Sequence, residues 1–407
     1  MPRSLLKNIL NLSLDNLQKK TPQYSNINAN MKLLINTAHQ RFGGAVQVAL
    51  SFIYECRNFP EHEYHVWVGP GVNKSLHKDD FPSNFHFTHF DFGIINLPKA
   101  MKINRTLRSE EQKIKPDVVI ATSGPSYFHS VAPQIIGFNL PLYIYPESPY
   151  LKKSPLYQKL RLQLKKLIHY YFFKRDAIAY VVQTEDVNQR VQKALKTTDV
   201  YTISNTHNGF FNNWSKLPNW LPLRKPDEIR LVTISAWYDH KNLDLIPNVI
   251  RSIKSKGLYH IKFITTLPPE DFARLNTANC NDQLVNIGPI RPEECPSLYS
   301  ECDFMFLPTL AECFSASYPE AMVMGKPIIT TDLGFARSIC GNAAIYFKPT
   351  DAADAAYKII ELSDTPQLQA QLVESGKSQL TSFDNAQERA SKYLELCEKI
   401  MYERKNN

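Results

Sequence analysis

The sequence lacks paired cysteines. Its seven cysteines are odd in number and scattered, and no C-x-x-C pair occurs. Neither a zinc knuckle nor a disulfide framework is expected, because both need cysteines at fixed spacings. Reduced thiols are typical of the cytoplasm. We therefore expect a cytoplasmic protein, on the inner face of the membrane if it associates with one.

Long apolar runs are missing as well. No run reaches the ~18–20 residues that a helix needs to cross a bilayer. The first 18 residues include seven leucines and isoleucines, but polar residues interrupt them and no small-residue cleavage site follows. We interpret residues 1–30 as an N-terminal extension, which is either an amphipathic helix or a loosely held segment.

Length and composition indicate two soluble domains. The chain has 407 residues, of which 43% are hydrophobic and 21% charged. That length suits two domains of roughly 150–200 residues, each able to bury a core. The net charge of +8 favours anionic partners such as sugar nucleotides, anionic lipid surfaces or nucleic acid, and selects none of them.

Short apolar strands alternate with helical patterns, which predicts parallel βαβ units. In the first half, strands are predicted at residues 32–37, 64–68, 117–121, 142–145 and 178–182. A helix is predicted from residue 45 to about 56, and residues 81–108 read as a loop. In the second half, strands are predicted at residues 231–235, 261–265, 285–287, 304–307, 328–331 and 345–347.

A proline-rich break separates the two halves. Residues 216–227 contain three prolines, which fit neither a helix interior nor a central strand. We predict two Rossmann-like, doubly wound α/β domains, residues 31–215 and 228–385, with 216–227 as the linker and 386–407 as a C-terminal helix. The carboxyl ends of both sheets would face one cleft, where such sheets bind ligands.

The segment 304–326 carries the most chemistry. A buried strand is followed by a loop with Glu312, and a helix is predicted to begin at residues 315–317. Seven residues separate Glu312 from Glu320, which lies in the first turn of that helix. A helix N-terminus favours phosphate, and a carboxylate there can accept hydrogen bonds from vicinal hydroxyls. A helix-dipole role for Glu320 is the alternative.

This segment resembles the E-x7-E region of retaining GT-B glycosyltransferases, the glycosyl transferases group 1, and family 4 in particular. The residues in register are Glu312, Phe314, Glu320, Ala321, Met322, Gly325, Pro327, Ile328 and Ile329. The resemblance implies that Glu320 holds the donor ribose, that Glu312 lies near the transferred sugar, and that the amides of Phe314, Ser315 and Ala316 contact sugar or diphosphate. Cys313 and Ser315 replace two usual glycines, so a side chain stands where the backbone of family members approaches the ligand.

A second match lies at residues 231–242. In the family a strand ends in G-R-x-x-x-x-K, and the arginine and lysine bind the donor diphosphate. Lys241 matches the lysine, whereas Ala236 stands at the arginine position. A solvated loop lysine is the alternative for Lys241. Arg291 and Lys326 are the other cations that we consider for the diphosphate.

Gly43 and Gly44 match the glycine pair that the family has after its first strand, where the backbone approaches donor phosphates or the acceptor. A plain tight turn explains them equally well. Glu147 lies where members often have a histidine or acidic residue near the acceptor. Helix capping or a surface role competes with that interpretation.

No D-x-D sequence occurs, so no metal site is expected. The resemblance implies a UDP- or GDP-type sugar nucleotide as donor, a glycan or lipid-linked acceptor, no cofactor, and front-face transfer with retention. A non-catalytic sugar-nucleotide-binding partner protein is one alternative. A nucleic-acid-binding protein is a remote one, because the helix-turn-helix, zinc and RNP-type signatures are missing. Epimerisation or phosphorolysis on the same fold is a third.

The most basic region is 152–175, in which leucines recur at helical spacing between lysines and arginines. Such a helix can lie on an anionic membrane surface. Alternatively, it covers its own domain with the apolar stripe and presents its charge to water.

Overall fold

A computed structural model describes residues 30–93, 95–215, 219–275, 277, 280 and 282–406. The N-terminal extension up to residue 29 and the linker residues 216–218 lie outside the described residues. Within them, no helix combines the length and apolar character that crossing a bilayer requires.

The first sheet contains β1 (Lys32–Asn36), β2 (Glu63–Val68), β3 (Phe85–His89), β4 (Val118–Ala121), β5 (Gln134–Gly137), β6 (Ala179–Val182) and β7 (Val200–Thr202). Its strand order is β3-β2-β1-β4-β5-β6-β7, and every neighbouring pair is parallel. The order reverses between β1 and β4, which gives the doubly wound topology with a crevice at the carboxyl ends of those strands.

The helices of this domain are α1 (Gly44–Glu55), α2 (Pro70–Asn73), α3 (Leu97–Ile114), α4 (Pro141–Ile144), α5 (Pro149–Lys153), α6 (Leu156–Asp176) and α7 (Glu185–Leu195). Short 3-10 turns lie at Cys56–Asn58, Lys78–Asp80 and Gly209–Phe211. The helices cover both faces of the sheet, because all-parallel strands are buried on both sides.

The second sheet contains β8 (Ile229–Thr233), β9 (Ile261–Thr265), β10 (Leu284–Asn286), β11 (Phe304–Leu307), β12 (Ile328–Thr331) and β13 (Ala344–Phe347). Its strand order is β10-β9-β8-β11-β12-β13, again all parallel, and the order reverses between β8 and β11. Two parallel sheets with covering helices confirm the predicted pair of Rossmann-like domains.

The helices after β8 are α8 (Leu245–Lys254), α9 (Pro269–Phe272), α10 (Cys295–Ser300), α11 (Ser317–Val323), α12 (Gly334–Cys340), α13 (Ala352–Ser363), α14 (Pro366–Leu380) and α15 (Ala386–Lys405), with 3-10 turns at Asp239–Lys241 and Pro292–Glu294. The last helix, α15, returns to the first domain and packs on α1 and β4. Its Tyr393 and Cys397 lie in the same core as Leu33 and Phe52 of that domain.

Two sequence interpretations in the first domain were wrong. Residues 142–145 are not a strand: Pro141 starts the short helix α4, since a proline is well placed in a first helical turn, and the sheet strand is β5. Residues 81–108 are not a loop: they contain β3 and the start of α3. The Asn96 side chain caps α3 by accepting from the Lys99 amide.

Candidate active site

Lys241 and Glu312 meet at the carboxyl end of the second sheet. Lys241 closes the turn that follows β8, and Glu312 lies in the loop after β11. These strands flank the point where the strand order reverses, so their loops border one crevice. Lys241 Nζ lies 2.5 Å from Glu312 Oε1, and both side chains are largely buried. The two residues that the sequence assigns to donor chemistry therefore form one poorly solvated ion pair.

Further contacts hold this pair in place. Thr309 Oγ1 donates to Glu312 Oε1 at 2.9 Å. The amide of Leu310 donates to the carbonyl of His240 at 2.8 Å, which joins the two loops through their backbones. Thr309 is a positioning residue that the sequence interpretation missed, because a threonine after a strand has no distinguishing pattern.

Glu320 lies in the first turn of α11 with a partly exposed side chain. Among the described residues, no group bonds or forms an ion pair with its carboxylate. Burial raises the pKa of Glu320 to about 7, and the charge of Lys241 opposes that rise. At neutral pH the ligand-free protein therefore contains both protonated and ionised Glu320. Its ribose-binding role stays a prediction.

Cys313 and Ser315, which replace the family's glycines, are both turned into the protein. Cys313 is 4% exposed and lies in a hydrophobic core with Val187 from the first domain. Ser315 is 5% exposed. Their side chains are therefore accommodated by packing. In the described part of the chain, the N–H groups of Phe314, Ser315 and Ala316 have no intramolecular acceptor.

Gly43 brings the first domain against this site. It precedes α1 with a φ of 79°, a conformation that favours glycine. A Cβ at Gly43 would lie 2.8 Å from the hydroxyl of Tyr238, whereas a Cβ at Gly44 would meet nothing within 4 Å. Of the two glycines, only Gly43 is required by the structure. The contact of Gly43 and Gly44 with donor phosphates stays a prediction.

His240 forms an aromatic bridge between the two domains. Its ring stacks on Tyr238 with centroids 5.6 Å apart and meets Tyr150 of the first domain edge-on at 6.5 Å. Burial lowers the pKa of His240, and the nearby Glu312 partly opposes this effect. His240 is therefore neutral at pH 7, and Lys241 is the cation of this turn.

Glu147 is engaged by a cation from α7. Its Oε1 lies 2.7 Å from Nη1 of Arg190, whose guanidinium also bonds Asp186 and stacks over the Tyr145 ring at 4.3 Å. The next residue, Ser148, donates to the carbonyl of Leu310 at 2.8 Å across the domain interface. Glu147 is half exposed, and its predicted acceptor contact stays a prediction.

The other candidate cations are held elsewhere. Arg291 is exposed and bonds Glu294 at 2.9 Å. Lys326 Nζ donates to the carbonyl of Cys302 at 2.7 Å, just before β11 begins. Lys326 therefore lies at the amino end of the strands, away from the cleft, and considering it for the diphosphate was wrong. Next to Ala236, the Trp237 ring is covered by the guanidinium of Arg274, which also pairs with Asp239 at 3.6 Å.

One group of side chains within the described residues has metal-ligand spacing. Glu63 and His65 of β2 and His86 of β3 bring their ligand atoms within 4.8 Å of one another. The three residues lie near the amino ends of their strands, whereas Lys241 and Glu312 follow carboxyl ends. This group is therefore separate from the candidate active site.

Comparisons with known proteins agree with this architecture. Residues 228–365 match the family model described as glycosyl transferases group 1. No curated protein sequence matches the chain.

Several solved structures are similar over most of the chain. HepE of Anabaena, in complex with UDP and glucose, is 14% identical, with 90% of this chain and 99% of that one covered and a TM-score of 0.67. Sucrose-phosphate synthase of Thermosynechococcus elongatus is 12% identical, with 92% and 100% covered and a TM-score of 0.68. A glycosyltransferase of Rickettsia africae is 16% identical, with 92% and 99% covered and a TM-score of 0.67.

At these identities the similarity shows the fold, while the family assignment comes from the second domain. That domain also holds Lys241, Glu312 and Glu320. The second domain matches the glycosyl transferases group 1, and the chain is a glycosyltransferase with the GT-B fold.

Proposed function

We propose that this enzyme moves a hexosyl group from a nucleotide-sugar donor to a glycan or lipid-linked acceptor, with retention and without a metal ion. The observation that carries the proposal is the Lys241–Glu312 pair at the strand-order reversal of the second sheet. The Glu320 carboxylate, which no described residue bonds, lies close enough to Lys241 to feel its charge, and Gly43 faces the site from the other domain.

Each group has a role in this proposal. Lys241 binds the donor diphosphate, which competes with Glu312 for its ammonium group. Glu320 accepts hydrogen bonds from the two ribose hydroxyls. Glu312 and the amides of Phe314, Ser315 and Ala316 face the transferred sugar.

The proposed reaction takes place on one face of the sugar. The bond from the anomeric carbon to the diphosphate oxygen breaks as the acceptor oxygen bonds the same carbon. The acceptor proton passes to the leaving diphosphate. Negative charge gathers on that group in the transition state, where a fixed cation stabilises it more than it stabilises the bound donor. The cation in this proposal is Lys241, which replaces a divalent metal.

A uridine donor is the first to test, since the HepE structure contains UDP and glucose. A cytoplasmic location fits the free and buried state of all seven cysteines. On the same fold, a sugar-nucleotide-binding protein without activity is the competing proposal, and Ala236 in place of arginine favours it.

Purified protein should be screened against UDP-, GDP- and other sugar nucleotides by thermal shift. A ligand at a hundred times its Kd stabilises the folded state by ~2.7 kcal/mol, which raises Tm measurably. Release of the free nucleotide in the presence of acceptor then separates an enzyme from a binding protein. No shift with any sugar nucleotide would contradict both proposals.

A further inference from the structure

The helix α6 exposes an apolar stripe that its own domain does not cover. The stripe consists of Leu156, Tyr157, Leu160, Leu164, Leu167 and Tyr171, which are 60–72% exposed. Five of these positions recur at steps of three or four residues, so they lie along one side of the helix. The alternative in which the leucines pack on the domain is therefore wrong.

The opposite side of α6 fixes how the helix is rotated. His169, Phe172 and Phe173 are buried there. His169 lies between the hydroxyls of Tyr127 and Tyr143, each 3.1 Å from one of its ring nitrogens. Because these buried groups are bonded and packed, the helix cannot turn its leucines inward without losing them.

Basic side chains border the exposed stripe. At about 100° of rotation per residue, Lys159, Arg161 and Lys174 lie on or beside it, whereas Lys165 and Lys166 lie nearer the buried side, where Lys166 Nζ is 5.2 Å from the centre of the Tyr170 ring. Residues 149–175 contain eight lysines and arginines and no acidic residue. Arg175 pairs with Asp176, but in the described structure the other seven form no ion pair. Those seven are Lys152, Lys153, Lys159, Arg161, Lys165, Lys166 and Lys174. Their charge is therefore not neutralised within the protein.

We propose that this stripe, the flanking Lys159, Arg161 and Lys174, and Lys152 and Lys153 of the preceding helix, together the docking face, bind an anionic lipid surface. Leucine and tyrosine enter the boundary between headgroups and acyl chains, and lysine and arginine meet lipid phosphates. A polyanion such as RNA would leave the leucines exposed to water. A second copy of the chain would bring two strongly positive faces together, which repel each other.

The docking face is continuous with the rim of the cleft. The preceding helix α5 contributes both Lys152 of the docking face and Tyr150, whose ring meets His240 beside Lys241. A protein docked through α6 therefore holds the rim of its candidate active site close to the lipid headgroups. This arrangement suits a lipid-linked acceptor. The docking itself does not depend on the proposed glycosyl transfer.

Sedimentation with vesicles tests the proposal on the full chain. We expect binding to vesicles of phosphatidylcholine with phosphatidylglycerol, weaker binding to phosphatidylcholine alone, and release as salt shortens the ~10 Å Debye length at 0.1 M. Replacing Lys159, Arg161 and Lys174 together by Gln should lower the partition coefficient about a hundredfold, since each contributes ~1 kcal/mol, or about fivefold.

A second variant tests the apolar stripe. Replacing Leu160, Leu164 and Leu167 together by Gln should lower vesicle binding at least ~tenfold even at low salt, because apolar burial contributes separately from charge. The matched control variant has Gln in place of Lys74, Lys193 and Lys256, which are exposed and lie outside the docking face. This control should bind vesicles as the parent does. All three variants change surface positions, so Tm should stay unchanged.

Several outcomes would overturn the proposal. They are no vesicle binding by the parent, equal binding to both vesicle types, or an effect of the control as large as that of the variant that replaces the three basic residues. Self-association that the leucine variant abolishes would identify a second copy as the occupant, and binding to RNA without vesicle binding would identify a polyanion. Donor-induced thermal shifts of the same variants report on the proposed function separately.

Discussion

At the residue scale, the proposed chemistry depends on the cation Lys241. Lys241 is held by Glu312, which itself accepts a hydrogen bond from Thr309. The nearby His240 is neutral at pH 7, and Ala236 provides no charge. A helix N-terminus carries a partial charge of only about half a unit. In the proposed reaction, Lys241 is therefore the main partner of the leaving diphosphate, and Arg274 on the far side of Trp237 is the nearest further cation of this turn.

Replacing Lys241 by Ala should lower kcat by at least two to three orders of magnitude, or ~3–4 kcal/mol, because the transition state loses its cation. Steady-state kinetics with the identified donor measures this effect. The Tm of the variant shows whether the unpaired Glu312 also destabilises the fold. Turnover within about tenfold of the parent would mean that another cation carries the diphosphate.

The matched gain-of-charge variant is Ala236→Arg. We expect unchanged or higher turnover, because a guanidinium at this exposed position returns the arginine that the family usually has. The neighbouring Trp237 already stacks under Arg274, whose guanidinium carbon lies 4.2 Å from the ring centroid. A loss of activity in Ala236→Arg would show that this stacked pair leaves no room for a second guanidinium.

Replacing Glu320 by Gln should weaken donor binding by about 1 kcal/mol, because neutral hydrogen bonds replace charged ones. In the parent, affinity should rise as pH increases through 7, since the pKa of Glu320 is about 7 and its ionised form accepts from both ribose hydroxyls. Titration calorimetry at several pH values measures both effects. An affinity independent of pH and of this substitution would return Glu320 to a helix-dipole role.

The same carboxyl group should cost stability at high pH. Its pKa rises from 4.5 to about 7 on folding, so the folded state retains a proton that the unfolded state releases. The stability that this retained proton contributes is fully present below pH 4.5. It is lost as pH rises from 4.5 through about 7, where the folded state also releases the proton. Glu320→Gln should therefore raise the free energy of unfolding at pH 8 by about 1 kcal/mol, allowing for partial exposure, and less at pH 5.

At the scale of the element, the C-terminal helix α15 links the end of the chain to the first domain. Its buried Arg389 donates to Ser51 Oγ at 2.5 Å and to the side chain of Asn205. Asp384, just before the helix, bonds Ser204 at 3.0 Å. A helix that follows the second domain in sequence thus stabilises the first. The two domains are therefore held together by the end of the chain as well as by the linker.

Arg389→Ala should lower the free energy of unfolding by about 2–3 kcal/mol, because it leaves buried acceptors without their donor and removes packed side-chain atoms. Lys392→Ala, on the exposed side of the same helix, loses a surface ion pair with Asp384 and should cost less than ~1 kcal/mol. Urea unfolding compares the two variants. Equal costs would show that the buried arginine does not anchor the helix.

At the scale of the whole molecule, the cleft is lined by both domains. The Tyr145 ring of the first domain meets Phe335 of the second edge-on at 6.1 Å, and α7 packs on α12. The Ser148–Leu310 hydrogen bond joins the same surfaces beside Glu312. The predicted site is therefore assembled by domain packing, and neither domain contains all of it.

Turnover of the whole enzyme should survive EDTA, because protein groups are proposed to neutralise the diphosphate. Loss of turnover on chelation, restored by magnesium or manganese, would contradict the metal-free mechanism. His86→Ala serves as the control, since it removes one side chain of the group of potential metal ligands outside the cleft. If EDTA lowers the turnover of the parent but not that of His86→Ala, the metal acts at the Glu63, His65 and His86 group and not in the transfer reaction.

The alternation of buried strands and helices determined the two-domain fold, because parallel strands must be apolar on both faces and the pattern is local. Glu312, Glu320 and Lys241 were likewise found from short motifs that place them after predicted strands. Residues 142–145 misled the prediction, because a short aromatic and aliphatic run fits a strand as well as a buried helical turn. Local spacing could not separate the two.

Only the tertiary structure decided which residues meet. Three contacts depend on segments that are far apart in sequence: Lys241 with Glu312, Gly43 with Tyr238, and Glu147 with Arg190 of α7. The burial that raises the pKa of Glu320 depends on the same packing. The exposure of the α6 leucines could not be predicted from the sequence either. A helical period shows that an apolar stripe exists, but it does not show whether the domain covers that stripe.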